Sequence, residues 1–212
     1  MATRLLLVRH GETTYNASGV VSGQADVPLT GPGDCQVAAL ARRLADRRID
    51  HVVSSPLARA VATAEAIAAP HGLGVRLDDD LRELGMGAWE GRTPREIRAR
   101  EPATFDAWRA RPDRVVPEGG ESVAALADRA MRAAENLPPG TVVWSTHGGF
   151  IGVLLCRLLG VPQHRRSQLH TDNASVSEVY FDGKYPVLRA LNATEHLADL
   201  LPDHHRPVYA SP

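Results

Sequence analysis

Cysteine, lysine and aromatic residues are all scarce in this chain of 212 residues. It has two cysteines, and Phe, Trp and Tyr together make up 5% of its length. Cys35 and Cys156 lie far apart in apolar, helix-like segments and form no closely spaced pair. This pattern excludes a disulfide framework, and we expect two buried, reduced thiols. Lys184 is the only lysine, so nearly all positive charge is arginine.

Long apolar runs and an excess of charge are absent as well. The longest apolar segment, 150–159, is too short to span a bilayer. A formal net charge of -1 argues against binding to nucleic acid or to an anionic membrane. No basic and apolar leader precedes the first predicted strand, so we expect a cytoplasmic location.

The length and composition predict one α/β domain. Hydrophobic residues make up 43% of the chain and charged residues 23%, as in ordinary globular proteins. We expect a single domain over residues 1–200 and a loose tail over 201–212, where Pro, His and Asp are mixed. Residues 84–118 contain two tryptophans, several prolines and short helical patches. They predict a small helical, cap-like insertion across the top of the sheet.

Short apolar runs alternate with amphipathic segments along the chain. Strands are predicted at 5–8, 51–54, 75–77, 142–146, 175–181 and 187–191, and helices at 31–48, 57–71, 122–137 and 150–159. This alternation predicts the α/β class, as a three-layer α/β/α sandwich. The sheet is expected to be mostly parallel, with a reversed strand near the end of the chain.

The first predicted strand ends abruptly in charged and glycine residues. Apolar residues 5–8 lead directly into Arg9, His10 and Gly11. Ligands bind at the carboxyl ends of strands in α/β sheets, and a glycine there permits a tight turn and close approach. An arginine beside a histidine can bind an anion and attack it. For that attack the other ring N–H of the histidine needs an acceptor, and the Gly11 turn offers a backbone carbonyl. Taken alone, the pair could equally be a surface feature that ends a strand.

Two later strands end in a similar way. The strand at 142–146 runs into His147 and two glycines, and Arg59 falls in the first turn of the helix after the strand at 51–54. By itself, His147 would read as a hydrogen-bonded core histidine. Because parallel strands end at one edge of a sheet, we expect both imidazoles and both guanidinium groups to converge there. Such a cluster is an anion site that contains a nucleophile.

Further motifs match a known family in their order and spacing. They occupy 9–13, 16, 23–30, 54–60, 81–84, 87–91, 119–122, 147–149 and 192–197. On these motifs, across roughly residues 4–197, the chain resembles the histidine phosphatase superfamily, also called the phosphoglycerate mutase-like family. It is most similar to the phosphatase branch.

The resemblance implies a metal-independent phosphomonoesterase that works through a phosphohistidine. His10 would be the nucleophile, and His147 would bind the moving phosphoryl group. Arg9 and Arg59 would neutralise the phosphate oxygens with forked, permanently charged donors. The leaving alkoxide needs a proton, and Glu83 matches the family's general acid.

Other carboxylates near these motifs are interpreted as structural. Glu90 is the rival acid, but we expect it to tie the insertion to the rest of the chain. Glu12 is expected to orient the first loop. Glu121 is expected to brace or cap the helix that follows it.

Five further positions are predicted to bind the substrate: Asn16, Ser22, Gly11, Gln24 and Gly148. The backbone amides of the two glycines, with the helix start after His147, are expected to add positive charge to the pocket. Val20 and Ser22 stand where phosphatase-like relatives commonly carry arginine and glutamine. That departure favours a less anionic substrate, either bulkier or carrying a single phosphate.

Two alternatives to a phosphatase stay open at this stage. A 2,3-bisphosphoglycerate-dependent phosphoglycerate mutase is one, because arginines are frequent between residues 92 and 111. A phosphoprotein-binding module with an inactive site is the other. The expected partner is a small-molecule phosphomonoester, with no metal, cofactor, nucleic acid or membrane implied; the motifs leave a homodimer undecided.

Overall fold

The computed structural model describes residues 2–183 and 185–200, and the tail predicted at 201–212 lies outside them. Six strands are described: β1 (Thr3–Arg9), β2 (His51–Ser54), β3 (Val75–Leu77), β4 (Gly140–Thr146), β5 (Val176–Phe181) and β6 (Pro186–Ala193). Seven α-helices are described: α1 (Thr14–Ala17), α2 (Gly31–Leu44), α3 (Ala58–Ala68), α4 (Pro94–Arg100), α5 (Pro102–Ala110), α6 (Val123–Glu135) and α7 (Gly148–Leu159).

The strands form one mixed sheet in the order β3-β2-β4-β1-β5-β6. The first four strands in that order pair in parallel, whereas β5 is antiparallel to both β1 and β6. The prediction of a mostly parallel sheet with a late reversal is therefore confirmed. The carboxyl ends of β2, β4 and β1, three neighbouring strands, lie at one edge.

Helices cover both faces of the sheet. Side chains alternate along a strand, so Leu5 and Leu7 pack with α6 and α7 while Leu6 and Val8 pack with α2 and α3. All four of these β1 side chains are fully buried. A strand that is apolar on both sides is typical of a central parallel strand, and it gives the predicted α/β/α sandwich.

The segment at 84–118 contains two helices, α4 and α5, and a 3-10 turn at Gly87–Trp89. Trp89 is 1% exposed, and its ring centroid lies 5.9 Å from that of Phe105 and 5.6 Å from that of Trp108. Ile97 from α4 and Phe105 from α5 join the same apolar cluster as α6 and α7. The predicted helical insertion is thus anchored on that side of the sheet by its own aromatic residues.

Two predicted helix ends need correction. Helix α2 ends at Leu44 rather than 48, since the chain turns there to bury Ile49 before β2. Helix α3 gives way to a 3-10 turn at Ala69–His71, because Pro70 cannot donate a backbone hydrogen bond and would clash with the preceding turn of an α-helix.

Cys35 was expected to be buried, but it is exposed, whereas Cys156 is buried as predicted. The buried stripe of α2 includes Val37, Leu40 and Leu44, and Cys35 lies off that stripe.

None of the helices within residues 2–183 and 185–200 combines the length and the apolar character that crossing a bilayer requires.

Candidate active site

The predicted functional segments leave the sheet side by side. The His10 N–H donates to the Thr146 carbonyl at 3.0 Å, and the Ser55 N–H donates to the Ser145 carbonyl at 3.0 Å. Strand β4 therefore holds the first residue after β1 on one side and the first residue after β2 on the other. His147 follows β4 itself, so three strand ends form one site.

The two histidines meet, as their places in the sequence predicted. Their ring centroids lie 5.1 Å apart with an interplanar angle of 60°. His10 is 4% exposed and His147 is fully buried. The chain therefore encloses two imidazoles that are separated by 137 positions in the sequence.

Both ring nitrogens of His10 have partners. Nδ1 lies 2.7 Å from the Gly11 carbonyl oxygen, and the Nε–H of Arg59 points to Nε2 at 3.2 Å. A carbonyl can only accept and a guanidinium can only donate, so the imidazole proton sits on Nδ1 and the lone pair on Nε2. The predicted backbone acceptor for His10 is confirmed.

Burial keeps both imidazoles uncharged. Burial lowers the pKa of His10 well below 6.5, and the charges of Arg59 and Arg9 lower it further. The pKa of His147 is also lowered well below 6.5, first by burial and then by His10, Arg59, Arg129 and Arg9. At neutral pH the site therefore contains neutral imidazoles and permanently charged guanidinium groups.

Arg59 lies in the first turn of α3 with 1% of its surface exposed. Its Nη1 donates to the Ala25 carbonyl at 2.7 Å and its Nη2 to the Gly23 carbonyl at 2.9 Å. With its Nε–H on His10, three of the five N–H donors of a guanidinium are engaged, and two are left for an anion. Burial lowers the pKa of Arg59, and the nearby Glu83 carboxylate counteracts that effect.

Arg9 approaches the site along the start of α7. Its Nη1 donates to the Thr171 carbonyl at 2.6 Å. A Cβ on Gly148 would lie 3.3 Å from the Arg9 Nε. The small residue at 148 therefore leaves room for the guanidinium beside His147.

Glu83 is held at the first turn of α7. Its carboxylate accepts hydrogen bonds from the backbone N–H groups of Gly149 at 3.0 Å, Phe150 at 2.9 Å and Leu84 at 2.9 Å. A Cβ at position 149 would lie 2.5 Å from the Glu83 Oε1. The second glycine after His147 thus makes room for the carboxylate, which the positive end of the helix holds.

Arg129 braces the segment that carries Glu83, a feature that the sequence interpretation missed. Its guanidinium donates to the backbone carbonyls of Asp80, Arg82 and Glu83, and it pairs with both oxygens of Glu121. The signal was present in the sequence, since position 129 falls on the apolar face of α6. A charged residue on a buried stripe needs partners nearby.

The carboxylates interpreted as structural have the expected contacts. Glu90 Oε1 accepts the N–H groups of Gln24 and Met86, each at 2.9 Å, and so ties the insertion to the Gly23 loop. Glu12 Oε1 accepts the Thr30 hydroxyl at 2.8 Å. Glu121 braces α6 through its pair with Arg129, 2.8 Å apart.

One residue of the predicted substrate site, Gly11, has a different hydrogen-bond partner for its backbone N–H in this structure. The Gly11 N–H donates to the Thr63 Oγ1 at 3.2 Å, so it is not directed at an anion. A Cβ at position 11 would lie 2.7 Å from the Val37 side chain and 2.8 Å from the Gly33 carbonyl. Close packing against α2 requires glycine here, and the Gly11 carbonyl orients His10.

The other predicted binding residues surround the site. The Gln24 side chain donates to the Glu83 carbonyl at 3.1 Å. Ser22 lies in the same loop, where its carbonyl accepts the Ala25 N–H. Gly148 opens α7. Contacts of these residues with a substrate stay predictions.

Asn173 is a second residue that sequence reasoning missed. Its Nδ2 lies 3.0 Å from the His10 carbonyl, 3.3 Å from the Gly11 carbonyl and 3.1 Å from the Asn16 Oδ1. Ala174, the next residue, has a positive φ of 56°, a conformation that costs a non-glycine residue of order 1 kcal/mol. The strained turn holds Asn173 against the backbone of His10 and Gly11.

Asn16, the remaining predicted contact, is oriented by these hydrogen bonds. Its Oδ1 also accepts the Thr13 backbone N–H at 3.1 Å and the Thr13 hydroxyl at 3.0 Å. With the oxygen side of the amide occupied, the NH₂ group is the side that can donate elsewhere.

In the described part of the chain, no group of three or more His, Cys, Asp or Glu side chains is arranged to hold a metal ion.

Comparisons with known proteins agree with this geometry. The family model of the histidine phosphatase superfamily (branch 1) matches residues 5–194. "Probable phosphoglycerate mutase GpmB" of Yersinia enterocolitica is 41% identical over 186 residues, which cover 83% of this chain and 84% of that protein. "Phosphoserine phosphatase 1" of Hydrogenobacter thermophilus is 32% identical over 209 residues, 97% of this chain and 99% of that protein.

A solved structure extends the comparison to the fold. A mycobacterial glucosyl-3-phosphoglycerate phosphatase superposes with a TM-score of 0.81 at 34% identity, covering 91% of this chain and 100% of that one. The family motifs, the six-stranded sheet and the paired imidazoles at its edge all agree with the match to this family. The chain belongs to the histidine phosphatase superfamily (branch 1).

Proposed function

We propose that this protein is a metal-independent phosphatase that hydrolyses small organic phosphomonoesters through a phosphohistidine at His10. One observation carries the proposal: the Nδ1–H of His10 is held by the Gly11 carbonyl, and its Nε2 lone pair faces Arg59 beside His147. This arrangement prepares a neutral nucleophile next to a cluster of anion-binding groups.

In the first step the lone pair on His10 Nε2 attacks the phosphorus atom of the ester. A P–N bond forms, the ester P–O bond breaks, and the leaving oxygen takes a proton from the carboxyl group of Glu83. Arg9 and Arg59 neutralise the phosphoryl oxygens as charge develops. The Arg59 Nε–H, which faces Nε2 in the resting site, then binds a phosphoryl oxygen instead.

In the second step water replaces the imidazole. The Glu83 carboxylate takes a proton from a water molecule as its oxygen attacks phosphorus, and the P–N bond breaks to release inorganic phosphate and neutral His10. Glu83 is thereby reprotonated for the next turnover. Its three backbone donors keep the carboxyl group in one place through both steps.

Two replacements test these roles. His10→Ala removes the nucleophile, and we expect phosphate release to fall below about 1% of the wild-type rate. Glu83→Gln removes the acid, and the loss is expected to be larger for alkyl phosphates than for aryl phosphates, whose leaving groups need less help. Glu90→Gln is the matched control, since Glu90 contacts backbone N–H groups away from His10. Equal losses on both ester types would contradict the role of Glu83.

A phosphoglycerate mutase is the second candidate, because a relative with 41% identity carries that name. The two activities separate in one assay: 3-phosphoglycerate is supplied with 2,3-bisphosphoglycerate as primer, and both the isomer and free phosphate are measured. Phosphate without isomer supports the phosphatase. Isomer formed faster than phosphate would establish the mutase.

The substrate is proposed to be a small, singly phosphorylated metabolite. Val20 and Ser22 lie in the loop whose carbonyls bind Arg59, and neither brings a further positive charge to it. The relatives named above as phosphatases act on phosphoserine and on a glucosylated phosphoglycerate, according to their names. A panel of phosphorylated amino acids, sugars and glycerates, ranked by kcat/KM, tests the proposal. A clear preference for bisphosphorylated compounds would contradict it.

A further inference from the structure

Ser55 is a buried side chain of this site to which the steps above give no role. It is the first residue after β2 and is fully buried. Its Oγ lies 2.8 Å from the His147 Nε2. The Leu57 backbone N–H also points to that oxygen, at 3.4 Å. Within residues 2–183 and 185–200, these are the two hydrogen-bond contacts of the Ser55 side chain.

These contacts fix the direction of the hydrogen bond between Ser55 and His147. A hydroxyl has one proton to donate and two lone pairs that accept. The Leu57 N–H occupies a lone pair, so the hydroxyl proton needs an acceptor. A buried donor without an acceptor is costly, and the available acceptor is His147 Nε2. The Ser55 hydroxyl therefore donates to Nε2.

The proton of the neutral His147 ring must then sit on Nδ1. A neutral imidazole carries one N–H, and burial keeps this ring neutral by lowering its pKa. Nδ1 is buried and has no hydrogen-bond partner among the described residues. A buried N–H without a partner calls for a ligand that accepts. The neighbouring ring of His10, with centroids 5.1 Å apart, is where the phosphoryl group would bind.

We propose that Ser55 is a positioning residue that holds His147 as its Nδ1–H tautomer, so that a neutral ring presents an N–H to the phosphoryl group at His10. This inference rests on the proposed phosphatase function. It assigns the serine a task distinct from that of its neighbour Ser54, whose hydroxyl donates to the Ser55 carbonyl at 2.8 Å.

Removal of the Ser55 hydroxyl would leave the ring free to carry its proton on either nitrogen. With the proton on Nε2, a lone pair on Nδ1 would face the phosphoryl oxygens and repel them. Deletion of a single donor from an oxyanion site costs about 100- to 1,000-fold in kcat. Because part of the population keeps the productive tautomer, we expect Ser55→Ala to lower kcat by about 10- to 100-fold.

The tautomer can be measured directly in protein labelled with ¹⁵N at its nine histidines. Long-range ¹H–¹⁵N NMR spectra distinguish a protonated ring nitrogen from an unprotonated one, and the His147 signals are assigned by their loss in His147→Gln. We expect a protonated Nδ1 and an unprotonated Nε2 in the wild type. In Ser55→Ala the proton should appear partly or wholly on Nε2. Inorganic phosphate should shift the Nδ1 signal of the wild type.

Ser54→Ala is the matched control, because it deletes a buried hydroxyl from the adjacent residue without touching His147. It should leave the His147 tautomer unchanged, while urea unfolding shows that both variants are folded. The proposal is overturned if wild-type His147 carries its proton on Nε2, or if Ser55→Ala changes neither the tautomer nor kcat. Failure of the phosphatase proposal differs: His10 would never be phosphorylated although the His147 tautomer still responded to Ser55.

Discussion

Adding one methyl group at Gly149 is predicted to displace Glu83. The Cβ of an alanine there would lie 2.5 Å from the Glu83 Oε1, whereas ordinary contacts begin at 3.4 Å. The carboxyl group must therefore move by about 0.9 Å, the difference between those two distances. That movement lengthens the hydrogen bonds from the N–H groups of Gly149 and Phe150, now 3.0 and 2.9 Å.

The cost is expected mainly in catalysis. A displacement of about 1 Å at a reacting group can lower a rate by about 100-fold, so we expect that loss in kcat for an alkyl phosphate. Stability should fall by no more than about 2 kcal/mol, because weakened hydrogen bonds are partly offset by the better helix propensity of alanine. Gly149→Ala is thus expected to be folded and slow.

The assay is steady-state phosphate release from an alkyl and an aryl ester. Loss of a correctly placed acid should affect the alkyl ester more. Gly31→Ala is the control, since position 31 opens α2 and an added Cβ meets nothing within 4 Å. A Gly149→Ala variant with wild-type kcat on the alkyl ester, or with equal losses on both esters, would refute the reasoning.

Three further predictions concern the hydrogen bonds of Asn173, the protonation of the two imidazoles and the effect of metal removal. Asn173→Ala should lower kcat by about 10-fold, since it removes the hydrogen bonds that connect the His10 and Gly11 carbonyls to Asn16. The replacement of an exposed residue, Asn136→Ala, serves as control. If the two variants had equal kcat values, a positioning role for Asn173 would be contradicted. Burial lowers the pKa of both site imidazoles well below 6.5, so below pH 6.5 the unfolded chain binds protons that the folded protein does not. The free energy of unfolding should then fall as the pH drops, by up to about 2.7 kcal/mol per pH unit for the two groups together. Urea titrations at several pH values measure this dependence. The same pH dependence in the double variant H10N/H147N would contradict the prediction. Incubation with EDTA should leave phosphate release unchanged, and inhibition that added metal reverses would exclude the metal-independent mechanism.

Local patterns in the sequence were sufficient to predict the sheet and the pairing of the two imidazoles. Apolar runs that end in His10 and His147 indicate buried strands with polar ends, and parallel strands bring such ends together. Helix ends were less accurate, because the positions of Leu44 and Ala68 depend on how the chain turns into the next element. Exposure of Cys35 depends on which side of α2 faces the sheet, and apolar composition alone does not determine this.

The hydrogen bonds of the site could be predicted only in part. The Gly11 carbonyl was an expected partner of His10, since it is adjacent in the chain. The Gly11 N–H was expected to face an anion, but a distant hydroxyl, that of Thr63, accepts it instead. Asn173 and Arg129 act across more than 40 residues. Such contacts depend on packing between elements, which one sequence does not reveal without the fold.

Chemical identification of the phosphorylated residue tests the central claim most directly. The protein is mixed rapidly with a ³²P-labelled phosphomonoester, quenched under alkaline conditions that preserve phosphohistidine, digested and mapped by mass spectrometry. Our account predicts acid-labile phosphate on His10 in the wild type and none in His10→Ala. Steady hydrolysis by the wild-type protein with no phosphate on His10 at any time, or with the label on His147 instead, would contradict it.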